Sequence, residues 1–135
     1  MKEVKDTKIL VVDDNPIWGF LIQQMLEFDR HQVMWAGDGA AGYGTYLLFK
    51  PDLVITDIEM PEKNGLEMMA CVRAHNPAIG TIYISVDLDR FRPRLEEERK
   101  RYQVGCLQKP FSRRDLMRLV SEHGCNGEGR REENG

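Results

Sequence analysis

The chain has 135 residues, with 19 Lys and Arg against 22 Asp and Glu and a formal net charge of −3, so it lacks the basic surplus that nucleic-acid binding favours. Its length suits one domain with a sizeable core, and 41% apolar with 30% charged residues is ordinary for a soluble globular protein. No apolar run approaches the ~20 residues a membrane span needs, the opening Met1-Lys2-Glu3-Val4-Lys5-Asp6 is too charged for a signal peptide, and Cys71, Cys106 and Cys125 lie too far apart for a zinc site or disulfide framework.

Short β-rich runs alternate with longer helical stretches, the pattern of a βαβ fold. Strands are expected near residues 8–12, 32–36, 53–56, 80–85 and 105–108, and helices near 16–28, 39–49, 65–75, 88–102 and 112–123. In the first helix Pro16 suits the opening turn, and Ile17, Leu21, Met25 and Phe28 share one stripe, which reads as core. The second helix carries Gly39, Gly42 and Gly44, so Tyr43, Tyr46, Leu47 and Phe49 must supply its packing. Asn64-Gly65 turns the chain into the third helix, with Leu66, Met69 and Val72 inward. Ser112-x-x-Asp115 reads as a cap opening the fifth, ahead of Leu116, Leu119 and Val120. Five βα units make one domain over residues 1–123. Residues 124–135 are expected to form a flexible tail or linker stub, because Gly-Cys-Asn-Gly-Glu-Gly-Arg-Arg-Glu-Glu-Asn-Gly cannot bury itself.

Charged side chains punctuate the ends of three strands. Ile9-Leu10-Val11-Val12 leads into Asp13 and Asp14, Leu53-Val54-Ile55-Thr56 into Asp57, and Gly105-Cys106-Leu107-Gln108 into Lys109. Taken singly each has a bland reading: Asp14 or Asn15 as a helix cap, Asp57 as a turn residue, Lys109-Pro110 as a loop dipeptide. Together they carry more weight, because the carboxyl ends of parallel strands converge on one crevice. Three carboxylates crowded there cannot all stay ionised without a cation, which calls for a divalent metal and a reaction that handles negative charge. The hydroxyl of Ser85 closes the fourth strand at the same end. His31, His75 and His123 are scattered and read as solvated or packed side chains.

These residues, with Val-Val-Asp-Asp-Asn-Pro at 11–16, Pro-Asp-Leu-Val-Ile-Thr-Asp-Ile-Glu-Met-Pro at 51–61, Asn-Gly at 64–65, Ile-Ser at 84–85 and Lys-Pro-Phe at 109–111, make the chain resemble the receiver domain of two-component response regulators over residues 8–123. The resemblance implies a flavodoxin-like, doubly wound (βα)5 fold with a five-stranded parallel sheet in the order 2-1-3-4-5. It implies that Asp57 accepts a phosphoryl group from a histidine kinase or phosphotransfer protein, with Mg²⁺ held by Asp13, Asp14, Asp57 and the backbone carbonyl of Glu59. Lys109 would pair with a phosphoryl oxygen, and Ser85 would move to bond another. The product is a signalling phosphoacceptor in the cytoplasm rather than an enzyme with turnover. Its output would go to a downstream protein through the face built from residues 88–108, without direct contact to nucleic acid or membrane.

The chain departs from the family in three places. Cys106 stands where an aromatic ring usually reports the switch, so switching is expected to run through Ser85 and backbone movement. Val86 replaces a small residue beside the switch hydroxyl and is expected to narrow access to the phosphoryl group. The segment from Asp87 to Arg101 is densely charged around Pro93. It reads either as a solvated helix laced with pairs such as Glu96–Lys100 and Glu97–Arg101, or as a docking face for a specific partner.

Three other functions compete with this one. An aspartate-nucleophile phosphatase would need a D-x-D after the first strand, where this chain has adjacent Asp13 and Asp14; Asp87-Leu88-Asp89 has the spacing but follows the fourth strand. A flavin-binding module would need a hydroxyl- or glycine-rich loop there. A receiver-like docking module that is never phosphorylated is the closest rival.

Overall fold

The computed structural model describes residues 7–124. Five parallel strands form one sheet: β1 (Lys8–Val12), β2 (Gln32–Ala36), β3 (Leu53–Asp57), β4 (Gly80–Ser85) and β5 (Val104–Gln108), in the order β2-β1-β3-β4-β5. Between them run α1 (Pro16–Phe28), α2 (Gly39–Phe49), α3 (Gly65–His75), α4 (Arg92–Arg99) and α5 (Arg113–Gly124). The expected (βα)5 architecture and strand order hold. Boundaries shift by a residue: β3 extends through Asp57, β5 begins at Val104, and α5 continues to a buried Gly124. The rest of the expected tail, 125–135, lies outside the described residues.

Alternation along buried strands explains the two layers. Ile9, Val11, Ile55, Ile82, Ile84 and Leu107 face one way, onto Ile22 and Leu26 of α1 and Leu116, Leu119 and Val120 of α5. Leu10, Val12, Val54, Tyr83 and Val104 face the other, onto Tyr46 of α2, Leu66, Met68, Met69 and Val72 of α3 and Leu95 of α4. With both faces covered, the inner strands need near-continuous apolar runs, and β3 and β4 are buried at every position.

Three sequence-based expectations need correction. The α1 stripe of Ile17, Leu21, Met25 and Phe28 is not core: Ile17 is 70% and Phe28 78% exposed, and Leu21 is exposed too. The buried side is Gly19, Ile22 and Leu26, flanked by Trp18 and Met25. Both sets have helical spacing, and one residue of phase turns the helix by about 100°. The phase is set where the helix starts: Asn15 caps it, accepting the N–H groups of Ile17 and Trp18 at 2.9 and 3.3 Å. In α2, Tyr46 packs inward as expected, but Leu47 is exposed.

The expected helix over 88–102 is broken. A 3-10 turn spans Leu88–Phe91, and α4 occupies only Arg92–Arg99. Pro93 thus lies in the first turn of α4, where its missing N–H costs nothing. Nor is the segment wholly solvated. Glu98 is buried, and its Oε1 accepts from Arg73 Nη1 of α3 and from the Tyr83 hydroxyl of β4, each at 2.7 Å. Arg73 Nη2 donates to Thr81 Oγ1 at 3.0 Å, and its guanidinium lies 4.2 Å from the Tyr102 ring centroid. Burial pushes the Tyr83 hydroxyl far above its usual pKa, so it remains a donor. Surface pairs here have i,i+3 spacing rather than the expected i,i+4: Glu97 of α4 with Lys100 just beyond it, at 3.5 Å, and Arg92 with Asp89.

Candidate functional site

The four strand-end charges meet. Asp13, just past β1, is almost fully buried; its Oδ1 accepts the Asn15 N–H at 2.9 Å and its Oδ2 accepts from Lys109 Nζ at 3.0 Å. Asp57, the last residue of β3, is 8% exposed, and its Oδ2 lies 3.5 Å from the same ammonium. Asp14 is exposed at the rim. One carboxylate oxygen from each of Asp13, Asp14 and Asp57 lies within 4.8 Å of the others.

Electrostatics follow from this crowding. The Asp57 carboxyl is pushed up to about 6: burial is the largest cause, Lys109 opposes it, and the neighbouring charges of Asp13 and Asp14 add to it. Counting formal charges, three carboxylates and one ammonium leave a local surplus of about −2. The donor set is all oxygen, clustered and under-neutralised, which fits a small hard divalent cation such as Mg²⁺.

The loop after β3 is held close to the strand end. Gly65 N–H donates to the Ile58 carbonyl at 2.9 Å, and a Cβ at position 65 would stand 2.2 Å from the Asp57 carbonyl oxygen. Only glycine allows α3 to start so near the site. Asn64 and Glu67 then close a reciprocal cap, each side chain accepting the other's backbone N–H, at 2.8 and 2.9 Å. The Glu59 side chain pairs with Arg90 of the turn after β4, tying the two loops together.

Ser85 is fully buried at the end of β4. Its carbonyl accepts the Lys109 N–H and its hydroxyl oxygen accepts the Asp87 N–H, both at 2.9 Å. The hydroxyl is thus engaged with the β4–α4 loop rather than with the carboxylate cluster. Val86, expected to narrow access, is 64% exposed. Cys106 sits opposite Tyr83 in the β4–β5 register, and burial raises its thiol pKa against the neighbouring Arg99.

Two tryptophans frame the site, and neither was singled out from the sequence. Trp35 on β2 donates its indole N–H to the Asp13 carbonyl at 3.1 Å. It lies over Gly19 of α1, where a Cβ would stand 2.3 Å from the indole nitrogen. Trp18 of α1 places its ring centroid 5.0 Å from Lys109 Nζ and 5.2 Å from the Phe111 ring. Nothing in the spacing of Trp18 or Trp35 marks them. Their roles appear only when α1, β2 and the Lys109–Phe111 segment converge.

The sequence matches the response regulator receiver domain over residues 9–121. The chain belongs to that family. Among curated relatives, an uncharacterized transcriptional regulatory protein, YbdJ of Bacillus subtilis (strain 168), is 31% identical over 125 residues, covering 89% of this chain and 53% of that protein. The transcriptional regulatory protein RprY of Bacteroides fragilis (strain YCH46) is 29% identical across 81% of this receiver and 45% of its own length. The receiver thus spans about half the length of these relatives. A response regulator receiver domain from Clostridium thermocellum superposes with a TM-score of 0.75 at 27% identity, covering 85% of this chain and 91% of that one. The chemotaxis protein CheY4 of Vibrio cholerae shares the fold, with a TM-score of 0.77 at 23% identity, over 86% of this chain and 97% of that one. As a member of this family the receiver is a two-component signalling module, and none of its described helices is long and apolar enough to cross a membrane.

Proposed function

We propose that this receiver takes a phosphoryl group on Asp57 from a histidine kinase or phosphotransfer protein and, once charged, alters the face around residues 88–108 that a downstream protein reads. The observation that carries this reading is the convergence of the Asp13, Asp14 and Asp57 carboxylates beside the Lys109 ammonium. In the transfer, an Asp57 carboxylate oxygen attacks phosphorus, the P–N bond to the donor imidazole breaks, and the imidazole leaves with the electron pair. Asp13, Asp14, Asp57 and the Glu59 carbonyl would hold Mg²⁺, which supplies neutralisation of the charge spread over the equatorial phosphoryl oxygens.

The rest is done by the protein's own groups. Burial makes the Asp57 carboxylate poorly solvated, which favours a state in which its charge is shared with a phosphoryl group and cations. Lys109, buried between Asp13 and Asp57, is within reach of an oxygen placed on Asp57. The added phosphoryl brings roughly −1.5 to −2 in charge, by analogy with phosphoserine. Ser85 would release the Asp87 N–H and turn its hydroxyl toward that charge, moving the β4–α4 loop with it. Exposed Ile17, Phe20 and Leu21 on the first turns of α1 lie next to the acid pair in sequence and offer an apolar surface for a phosphodonor protein.

Titration with beryllium fluoride, a mimic of the acyl phosphate, tests the reading. Calorimetry should detect Mg²⁺-dependent binding that disappears in Asp57→Asn. Binding that persists in that variant, or that ignores Mg²⁺, would favour a docking module that is never phosphorylated.

A further inference from the structure

We propose that Trp18 is a positioning residue for phosphoryl transfer, acting through Lys109. The inference rests on the reading of Asp57 as phosphoacceptor and adds a part to it. Lysine carries its charge on a flexible four-carbon stem with rotatable donors, so its place in a site depends on what surrounds the ammonium. Here it has two carboxylates, Asp13 at 3.0 Å and Asp57 at 3.5 Å, and the shorter contact is to the residue that does not receive the phosphoryl group. Charge alone would draw Lys109 towards Asp13.

Trp18 supplies a third hold on the ammonium, one that is not a carboxylate. Its ring centroid is 5.0 Å from Lys109 Nζ, inside the distance at which an aromatic face attracts a cation, and tryptophan is the best of the aromatic partners. Lys109 is buried, so the attraction is not diluted by bulk water. The ring competes with no phosphoryl oxygen, because it attracts the cation without taking its charge-assisted hydrogen bonds. It can keep the ammonium in the site while the N–H groups pass from carboxylate to phosphoryl.

The indole is itself held. Phe111, two residues beyond Lys109, packs against it with ring centroids 5.2 Å apart and planes tilted by 35°. On the backbone side, the Asn15 carboxamide that caps α1 accepts the Trp18 N–H at 3.3 Å. One cap therefore follows the acid pair Asp13–Asp14 and also fixes the residue under the lysine.

The test compares wild type, Trp18→Leu and Trp18→Phe in Mg²⁺ and saturating acetyl phosphate, with Asp57 phosphorylation followed by intact mass. The rate constant should fall about 3- to 30-fold in Trp18→Leu, which stays apolar but removes the ring face, and stay within about twofold in Trp18→Phe, which keeps a ring. In a Lys109→Met background Trp18→Leu should add no further loss. The Lys109 ε-methylene protons should show an upfield ring-current shift by NMR in wild type that is absent in Trp18→Leu. Equal rates in wild type and Trp18→Leu, or an equal slowing with and without Lys109, would reduce Trp18 to packing and overturn the proposal. A wild type that gains no phosphoryl mass would retire the Asp57 reading and the rate claim together. A missing ring-current shift with phosphorylation intact would overturn the Trp18 placement alone.

Discussion

Arg73 of α3 and Glu98 of α4 form an ion pair at 2.7 Å with side chains only 4% and 10% exposed, and Tyr83 of β4 donates to the same carboxylate. A short, mostly charged helix is thereby bolted to the sheet two residues from Ser85. Removing one partner of a buried pair leaves the other charge without compensation, so Glu98→Ala should cost about 3–5 kcal/mol in urea unfolding. The double variant Arg73→Met, Glu98→Leu should recover most of that loss, because apolar groups can replace a buried pair at little net cost. If Glu98→Ala unfolds with wild-type stability, the pair is not buried in solution.

Asp57 makes stability depend on pH in a direction opposite to that of most carboxylates. Its folded pKa, about 6, lies above the unfolded value near 3.8. The favourable contribution is therefore complete below about pH 4 and is lost as pH rises through 6. Metal-free Asp57→Asn should be more stable than wild type at pH 7.5, and the difference should vanish by pH 4. A shift of this size corresponds to about 3 kcal/mol at most, and screening at the open end of the sheet brings the expected gain to about 1–2 kcal/mol. Chemical denaturation at the two pH values in a chelating buffer reads it directly. A wild type that is the more stable of the two at pH 7.5 would contradict the crowding.

Gly19 leaves room for the Trp35 indole. Gly19→Ala should displace it and break the bond from Trp35 to the Asp13 carbonyl. The ring is already partly exposed, so it can swing outward without unfolding α1. The expected loss is about 1 kcal/mol, the usual worth of one hydrogen bond, accompanied by a red shift of the tryptophan emission. An unchanged spectrum would mean that the indole does not lie over Gly19.

Val86 was expected to narrow access to the phosphoryl group, and its side chain is 64% exposed. A side chain held by so little packing can turn aside for a phosphoryl group arriving at Asp57. Val86→Ala should leave the rate of phosphorylation by acetyl phosphate within about twofold. A large acceleration would mean that the loop folds Val86 over the site when the donor binds.

The sheet and the charge cluster were legible for one reason. Inner strands buried on both faces need continuous apolar runs, and the runs of β1, β3 and β5 end at Asp13, Asp57 and Lys109, the residues that the crevice collects. The phase of α1 was not legible, since Ile17, Leu21 and Phe28 satisfy helical spacing as well as Ile22 and Leu26 do. Only the Asn15 cap and the contact with β2 decide between them. Glu98 was hidden for a different reason: among the charges from Asp87 to Arg101 it is chemically indistinguishable from Glu96 and Glu97, and what buries it is Arg73, 25 residues earlier. Trp18 and Trp35 carry no signal in the sequence, because their partners lie across the fold.

Intact mass spectrometry of the protein with Mg²⁺ and acetyl phosphate, wild type beside Asp57→Asn, tests the central claim most directly. The account predicts one added phosphoryl mass in wild type, none in the variant, and none in wild type when the metal is chelated. A mass gain of equal size in Asp57→Asn, or no gain in either protein at saturating donor, would contradict it.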